Sequence, residues 1–467
     1  MLRNILEHLR NDLKRIRTKD SFARNVFTVF SGNSVVLLSQ LALTPLIARV
    51  YGPEAYGIYG LFYAILLNMA AFTDLGYGSA YVLPKEDKDY MHLLRLNLTL
   101  LAVVVVLALG MGLLREPLYT LFPNWRPMGA YLLLLPIGLL AFGLIYFFTN
   151  SFTRFRAFRL SVMLGSTTTI ALRGFNLGYG LVTRGAMYGL IVGEVVVNAA
   201  AAGAYTVAMR RHGLGTLFSE WSWASIRRIA MEYKRYPLFT FPERWIAQLG
   251  SQLPIFLLIA DPVVVGHFAI STALLLIPLR LLGYSLNTVY IQKAAETVDA
   301  DPALLGRITL GLYQRLFWIG LVPFTAMMFF SDVVFGFIMG DAWRGAGVIT
   351  AYMGLFYFFR LTSEPMSTLF YAQRREHRLM IFQVILAAAR LVVLLVILAT
   401  GMGAANGILG FSIVSALGYL ILGHLLLQSS GQNAGKLTLR AIVVTTAACA
   451  VFMGLRFLII GDIWPTL

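Results

Sequence analysis

Residues 31–62 read SGNSVVLLSQLALTPLIARVYGPEAYGIYGLF, and this stretch decides the fold class. It holds most of one apolar run, residues 25–50, and the start of a second, residues 56–83, with a turn of glycine and proline between them. Each run exceeds the roughly 20 residues that a helix needs to cross the hydrocarbon core of a bilayer. The pattern therefore predicts two consecutive transmembrane helices joined by a tight turn.

The same length rule, applied along the whole chain, predicts thirteen transmembrane segments. They are residues 25–50, 56–83, 93–114, 129–152, 160–181, 186–209, 236–260, 264–291, 308–331, 346–371, 380–400, 406–428 and 441–461. Of the 467 residues, 58% are hydrophobic and 13% are charged. A soluble protein carries about 25% charged residues. The composition argues against a soluble enzyme and predicts an all-α polytopic membrane protein.

The basic residues predict the orientation of these segments. The 38 Lys and Arg residues exceed the 22 Asp and Glu residues, which gives a net charge of +16. Of the 38, 26 fall on the side of the predicted membrane that holds the N-terminus, and only four fall on the other side. Because basic residues accumulate in cytoplasmic loops, the N-terminus is expected in the cytoplasm. No single water-exposed basic face remains for nucleic acid.

The segments divide the chain into five regions. These are an amphipathic cytoplasmic helix (1–24), an N-lobe of spans 1–6 (25–209), a basic cytoplasmic linker (210–235), a C-lobe of spans 7–12 (236–428), and a cytoplasmic loop with a thirteenth span (429–467). Two tripeptides recur in the lobes: SQL at 39–41 and 251–253, and LGY at 75–77 and 282–284, with offsets of 212 and 207 residues. Because six spans return the chain to its starting side, we expect two parallel six-helix lobes around a central cavity.

Arg95, at the cytoplasmic end of the span 93–114, is counted among the 26, and eight further arginines and no lysine lie inside the predicted spans. A charge at the bilayer centre costs about 2.5–3.5 kcal/mol even on the lenient insertion scale, so most of these arginines should face a water-filled cavity. Arginine suits phosphate because its planar fork donates two parallel hydrogen bonds. Arg49 and Arg456 lie near span ends, where they can snorkel. The other six are candidate pyrophosphate ligands, with ion pairing between helices or capping of carbonyls as the alternative: Arg173, Arg244, Arg280, Arg315, Arg360 and Arg390.

Four acidic residues also lie in the spans: Asp74, Glu194, Glu243 and Glu364. Carboxylates in a membrane commonly carry protons or cations, so these four are candidates for ion coupling, with structural pairing as the alternative. Arg360 and Glu364 are four residues apart on one helix, which favours a local ion pair. Eight arginines less four acids leave a charge of +4 in the spans, and this excess favours an anionic cargo.

The sequence contains no motif typical of a metal site, a cofactor site or a nucleotide-binding site. The six histidines show no metal-ligand spacing, and the single cysteine, Cys449, excludes an intramolecular disulfide. GQNAGKLT at 431–438 departs from a phosphate-binding loop because it has three residues between its glycines and Leu437 at the hydroxyl position. We therefore expect a transporter with no cofactor and no metal, and not an enzyme.

The residues around the first two spans resemble a family. ARVYGPEAYGIY at 48–59 and LGYGSAYVLPK at 75–85 are similar to motifs of the Wzx-like polysaccharide flippases. These belong to the multidrug/oligosaccharidyl-lipid/polysaccharide (MOP) exporter superfamily, which includes the MATE-like exporters. The resemblance implies a flippase that moves a polyprenyl-diphosphate-linked oligosaccharide, the repeat unit of O-antigen, capsule or exopolysaccharide, from the inner to the outer leaflet of a bacterial inner membrane. It also implies alternating access, with membrane lipids and the polysaccharide polymerase machinery as partners.

Three other interpretations stay open on the sequence. A drug or cation exporter of the same superfamily would have an acid-rich cavity, which the charge of +4 disfavours. A membrane glycan polymerase or ligase would need a large outer loop, and no predicted outer loop exceeds about fifteen residues. A non-transporting scaffold would give no reason for eight arginines in spans. Relatives in the family have 12 or 14 spans, so the resemblance leaves the number at 12, 13 or 14.

Overall fold

The computed structural model describes residues 22–212, 215, 217, 221–298 and 300–465, without the side chains of 22–35, 38, 212 and 282–289. The amphipathic helix predicted at 1–24 lies outside these residues except for its last three positions. The first described helix, α1 (Phe22–Ala71), kinks at Gly52, where φ is 73° and ψ is 171°. All regular elements in the described part of the chain are helical.

The chain forms two compact units, the first of which holds the described residues up to 50 together with 65–123 and 128–237. Its helices after α1 are α2 (Asp87–Leu113), α3 (Arg115–Leu121), α4 (Leu135–Arg154), α5 (Phe158–Thr183), α6 (Gly189–Met209) and α7 (Trp223–Glu232). Helix α4 packs against α2 and α6, and α2 also packs against α7. Hydrogen bonds between buried side chains fix this core: the Tyr90 hydroxyl donates to Ser151 Oγ at 2.8 Å, and Asn97 Nδ2 donates to the Tyr81 hydroxyl at 2.8 Å.

The second unit holds residues 51–64, 124–127 and 238–467. Its helices after the α1 segment are α8 (Phe241–Leu257), α9 (Pro262–Pro278), α10 (Tyr284–Thr297), α11 (Pro302–Met339), α12 (Arg344–Ser363), α13 (Thr368–Ala372), α14 (Glu376–Ala399), α15 (Ala404–Ser429) and α16 (Ala434–Ile460). Most residues of α12 are buried, because this helix packs against α9, α11 and α15. Helix α12 is therefore the central helix of the unit.

Eight of the described helical segments are both long and apolar enough to cross a membrane. They are Asp87–Leu113, Pro123–Arg154, Gly189–Met209, Pro262–Leu281, Pro302–Met339, Glu376–Ala399, Ala404–Ser429 and Ala434–Ile460. The other five predicted spans also lie on helices: two share the kinked α1, and the rest lie on α5, α8 and α12, which are shorter or more polar. The protein is a multi-pass α-helical membrane protein.

A reciprocal contact explains the glycines and prolines after the first predicted span. A Cβ atom added to Gly57 would lie 1.9 Å from the carbonyl oxygen of Pro262, and one added to Gly266 would lie 1.8 Å from that of Pro53. Both partners have the pattern proline, three residues, glycine, and they are 209 residues apart in the sequence. This separation falls between the two repeat offsets found in the sequence. Reciprocity of this kind is what two-fold symmetry produces when equivalent segments meet.

The DLGYG motif that follows α1 forms a turn around a buried carboxylate. Leu75 and Gly76 have positive φ angles of 45° and 83°, which point the backbone amides of the next residues toward Asp74. Asp74 Oδ1 accepts from the Gly76 amide at 3.0 Å, and Oδ2 accepts from the Gly78 amide at 3.1 Å. A Cβ on Gly78 would lie 2.7 Å from that second oxygen, so only glycine fits there.

Candidate functional site

Arg390 is a fully buried charge in the second unit. The residue is 1% exposed, and its guanidinium carbon lies 4.9 Å from the ring centroid of Phe411, 5.3 Å from that of Phe356 and 6.0 Å from that of Tyr419. Nε donates to Ser415 Oγ at 2.8 Å, while the buried Nη2 has no hydrogen-bond partner within the described residues. Contacts with aromatic faces stabilise a desolvated cation by about 2 kcal/mol. They do not satisfy its N–H groups, so Arg390 retains donor capacity for a ligand.

Arg360, on the central helix α12, forms the ion pair that its spacing from Glu364 predicts. Arg360 Nε donates to Glu364 Oε2, and Nη2 donates to Oε1 at 3.2 Å. The Arg360 side chain is 16% exposed and that of Glu364 is 43% exposed. The pair therefore lies at the edge of the packed interior, with the carboxylate on the more accessible side.

The two arginines share a set of aromatic rings. The guanidinium of Arg360 lies 5.6 Å from the Tyr419 ring centroid and 6.0 Å from that of Phe356, the same rings that Arg390 contacts. We call this group the arginine–aromatic cluster: Phe356, Tyr357, Arg360, Arg390, Phe411 and Tyr419. Two guanidinium groups and one paired carboxylate leave a net positive charge. An anionic group that reached the cluster would find a donor available and a favourable potential.

Helix geometry places the cluster, and this periodicity was visible in the sequence. Residues 356 and 360 of α12 and Glu364, directly after its end, follow one another at intervals of four, and on α15 residues 411, 415 and 419 do the same. Residues spaced by four lie on one helix face. The sequence analysis selected the charged members but missed the aromatic side chains and Ser415, although the spacing around the two arginines could have identified them.

Glu243, at the start of α8, lies close to the cluster. Its side chain is buried, and its carboxylate accepts a hydrogen bond of 3.0 Å from the hydroxyl of Tyr371. Glu243 also interacts electrostatically with Arg244 and Glu364. Arg244 itself is exposed. Two candidate coupling acids, Glu243 and Glu364, thus belong to the same part of the second unit as Arg360 and Arg390.

The other two candidate arginines of this unit lie elsewhere. Arg280 is exposed on a short π-helical segment, Leu279–Gly283, which follows Pro278. Arg315 is exposed on α11. Neither side chain forms a hydrogen bond or ion pair within the described part of the chain. The structure therefore does not bring either of them to the cluster.

The first unit contains three of the candidate residues, and each has a distinct setting. Arg173 on α5 is half-buried, and its Nε atom is buried with no hydrogen-bond partner among the described residues. Glu194 on α6 is buried and accepts from Asn198 Nδ2 at 3.0 Å. The carboxylate of Asp74 binds the two turn amides described above. Of the three, Asp74 has the clearest structural role.

Arg456 does not snorkel, although its position near a span end would allow it, and its charge is held in a buried ion pair. It is 1% exposed and forms bidentate hydrogen bonds with Asp332 at 2.7 and 2.8 Å. It also pairs with Asp462 and donates to the carbonyl oxygen of Phe329. Arg456 stays buried because Asp332 supplies a counter-charge. Asp332 lies one residue beyond the predicted span 308–331, on α11, and this helix packs against α16. Arg49, in contrast, is exposed.

Solved structures of other proteins have a fold similar to that of this chain. No protein-family model and no curated protein matches the chain. Among solved structures, the lipid II flippase MurJ in an inward closed conformation matches with a TM-score of 0.65 and 14% identity, over 93% of this chain and 98% of that one. An inward-facing multidrug resistance MATE family transporter matches with a TM-score of 0.64 and 14% identity, over 90% and 97% of the two chains.

A third structure, a MOP superfamily transporter from Pyrococcus furiosus, matches with a TM-score of 0.54 and 16% identity, over 87% of this chain and 95% of that one. At these identities the likeness concerns the fold. Lipid II flippase and MATE transporters share that fold, which confirms the predicted fold class. The protein has the multi-pass, all-helical architecture of the MOP-superfamily transporters.

Proposed function

We propose that this protein is a flippase for a polyprenyl-diphosphate-linked oligosaccharide, the repeat unit of O-antigen, capsule or exopolysaccharide. It would move this lipid from the inner to the outer leaflet of a bacterial inner membrane by alternating access. The observation that carries the proposal is the buried guanidinium of Arg390, which has an unfilled donor next to a second arginine. The fold that this chain shares with a lipid II flippase supports the same class of cargo.

The diphosphate is the chemical group that the arginines suit best. It carries negative charge on oxygen atoms that accept the parallel hydrogen bonds of a guanidinium. In this proposal Arg390 and Arg360 are the principal ligands, and the remaining candidates contact the diphosphate at other stages of its movement: Arg173, Arg244, Arg280 and Arg315. The aromatic rings of the cluster keep water from the bound diphosphate, which strengthens each charged hydrogen bond.

Transport of a fluorescent polyprenyl-diphosphate oligosaccharide in proteoliposomes tests this assignment. Arg390→Met removes the charge but keeps an apolar side chain of similar length, so folding should be retained while the rate falls at least tenfold, the loss of about one hydrogen bond to a charged group. The transport rate of Arg390→Lys should lie between the rates of wild type and Arg390→Met. Arg159→Gln, which changes an exposed arginine of the first unit, is the matched control and should transport like wild type. A folded Arg390→Met protein with the wild-type rate would exclude Arg390 as a ligand.

A second variant addresses the wider set of arginines. Arg280→Ala combined with Arg360→Ala removes one exposed guanidinium and one that belongs to the cluster. If this double variant and wild type translocate the lipid equally, the arginine assignment is wrong. Arg280→Ala alone serves as the comparison that separates the two contributions.

We also propose that a proton or sodium gradient drives the movement through carboxylates in the spans. The candidates are Asp74, Glu194, Glu243 and Glu364. Glu243 is the best placed, because it is buried and interacts with the carboxylate of Glu364. Two carboxylates that share a site favour the uptake of a proton or cation between them. Glu243→Gln should reduce transport under an imposed gradient to the rate without a gradient, and Glu54→Gln, which alters an exposed carboxylate, should leave the stimulation intact.

The second candidate function is export of an organic cation. The grouping of Glu243 and Glu364 favours it, as does the likeness of fold to MATE transporters. It predicts efflux of ethidium from proteoliposomes, with loss of efflux in Glu243→Gln and little change in Arg390→Met. The flippase hypothesis predicts instead that Arg390→Met lowers lipid transport with or without a gradient, whereas Glu243→Gln removes only the stimulation by the gradient, so the two variants separate the functions.

A further inference from the structure

A groove runs between α11 and α16 on the surface of the second unit. The space along it, including the adjoining solvent, is about 350 Å³. The side chains that line it are Tyr313, Gln314, Phe317, Trp318, Leu437, Arg440, Ala441 and Val444. The α16 residues among them are spaced by three or four, so they form one face of that helix. The groove is thus a seam between two membrane-spanning helices, and none of its lining residues belongs to the arginine–aromatic cluster.

The groove has a polar end and an apolar end. Helices α11 and α16 begin at the same end of the unit, because a Cβ on Gly306 would lie 2.6 Å from Gln432 Nε2 and 2.7 Å from the Ser430 carbonyl oxygen. With a rise of 1.5 Å per residue, Arg440 lies about 9 Å from the start of α16, and Val444 lies about 6 Å deeper. Gln314 and Trp318 follow the same order on α11. Leu437 and Tyr313 lie on the starting side of Arg440 and Gln314, and Phe317, Trp318 and Val444 lie deeper than this polar pair.

Within α11 and α16 the charged side chains near the groove are basic, and Asp301, directly before α11, accepts a hydrogen bond of 2.9 Å from the Leu304 amide. Helix α11 contributes Arg307 and Arg315, and α16 contributes Lys436 and Arg440, all of them exposed. No Asp or Glu occurs in residues 302–331 or 429–461. None of these four basic side chains has an ion-pair partner among the described residues. The surface is complementary to an anion at the polar end of the groove.

The apolar end is suited to a hydrocarbon chain. Trp318 is 53% exposed, and its ring packs edge-on against Phe317 with centroids 5.5 Å apart. Exposed aromatic side chains of this kind are typical of the region where headgroups meet acyl chains. The walls formed by Phe317, Trp318 and Val444 have no charged atom to disturb an acyl chain.

We propose that this groove is a binding site for an anionic glycerophospholipid. The guanidinium of Arg440 holds the phosphate, Lys436 adds positive charge one helical turn closer to the helix start, and one acyl chain lies along Phe317, Trp318 and Val444. The lipid here is a structural ligand of the second unit rather than the transported cargo. The site does not depend on the proposed flippase activity.

The full-length protein in detergent micelles, titrated with phosphatidylglycerol or phosphatidylcholine and followed by native mass spectrometry, tests the proposal. Phosphatidylglycerol should bind preferentially, and Arg440→Gln should weaken it about fivefold, as expected for one basic residue near an anionic headgroup. The control Arg159→Gln should bind like wild type, and inorganic phosphate alone should not compete. If both lipids bound equally, or if Arg440→Gln bound phosphatidylglycerol as tightly as wild type, the bound lipid would be nonspecific annular lipid and the proposed site would be wrong.

A second readout locates the acyl chain. Phosphatidylglycerol that carries bromine on its acyl chains quenches nearby tryptophan fluorescence. Trp318→Phe should remove a large share of the quenching that wild type shows at low lipid concentration, whereas Trp223→Phe, on α7 of the first unit, should remove little. If Trp223→Phe removed more of the quenching than Trp318→Phe, the lipid would be bound elsewhere on the protein.

Discussion

Arg456 and Arg390 are both buried guanidiniums, yet they differ in what surrounds them. Arg456 has two carboxylates and a backbone carbonyl within hydrogen-bond reach. Arg390 has the hydroxyl groups of Ser415 and Tyr419, three aromatic rings, and an Nη2 donor without a partner among the described residues. The first arrangement satisfies a charge permanently, and the second leaves capacity for a ligand. Burial alone therefore does not separate a structural arginine from a functional one, whereas the list of acceptors does.

The pair between Arg456 and Asp332 yields a prediction about stability. Asp332→Asn leaves the buried guanidinium with only part of its counter-charge, and breaking a buried pair costs about 3–5 kcal/mol. We expect a clear decrease in melting temperature in detergent. Adding Arg456→Met should restore part of it, because the unpaired charge is then gone.

The control for this pair is Arg344→Gln, which breaks the exposed pair with Asp341 and should change the free energy of unfolding by less than about 1 kcal/mol. Strictly additive effects of Asp332→Asn and Arg456→Met would contradict the interpretation, since residues in direct contact should show coupling.

At the level of helices, the sequence located the spans but not their interruptions. The span predicted at 346–371 is a helix to Ser363, a 3₁₀ turn at Glu364–Met366 and a short helix thereafter. The span predicted at 264–291 is likewise interrupted at Leu279–Gly283, directly after Pro278. Hydropathy detects length and apolarity, whereas these breaks arise from prolines that withhold a backbone donor. Pro278 and Pro365 lie at these two breaks, but hydropathy gives no means of choosing between a kink and a break.

The contact between the segments Pro53–Gly57 and Pro262–Gly266 yields a prediction at this scale. A methyl group on Gly57 or Gly266 would lie within 2 Å of a carbonyl oxygen, so either Gly→Ala change must push the two segments apart. Such overpacking costs about 1–3 kcal/mol. Each variant should lower the melting temperature, and the double variant should cost less than the two combined because both act on one contact.

The matched control is Gly110→Ala on α2, where a Cβ would meet no atom within 4 Å. It should leave stability unchanged or raise it slightly, since alanine favours a helix over glycine by about 1 kcal/mol. If Gly57→Ala and Gly110→Ala melted at the same temperature, the close approach would not be a constraint on the fold.

For the whole molecule, composition and periodicity were enough to predict the fold class, because a bilayer demands long apolar helices and little else at this level. The site was harder to predict. Of the six candidate arginines, Arg360 and Arg390 meet in one cluster, while Arg280 and Arg315 are exposed and outside it. Position along a span gives depth but not the direction in which a side chain points. The packing of α12, α14 and α15 decided the grouping, and that packing depends on contacts distant in sequence.

The distribution of basic residues yields a prediction about topology. Thirteen spans with a cytoplasmic N-terminus place the residue after α16 on the opposite side of the membrane. Alkaline phosphatase fused after residue 467 should be active in intact cells, and the same reporter fused after residue 212 should be inactive. An inactive fusion at residue 467, together with an inactive one at 212, would indicate an even number of spans and contradict the thirteenth.

The reciprocal contact of Gly57 and Gly266 has a consequence for how the sequence can evolve at these two positions. Gly57 accommodates the carbonyl of Pro262, and Gly266 accommodates the carbonyl of Pro53. A larger residue at one position therefore requires a change at or near the other. Among relatives, the two sites should covary in size, and an alanine at one should be accompanied by a compensating change near the other.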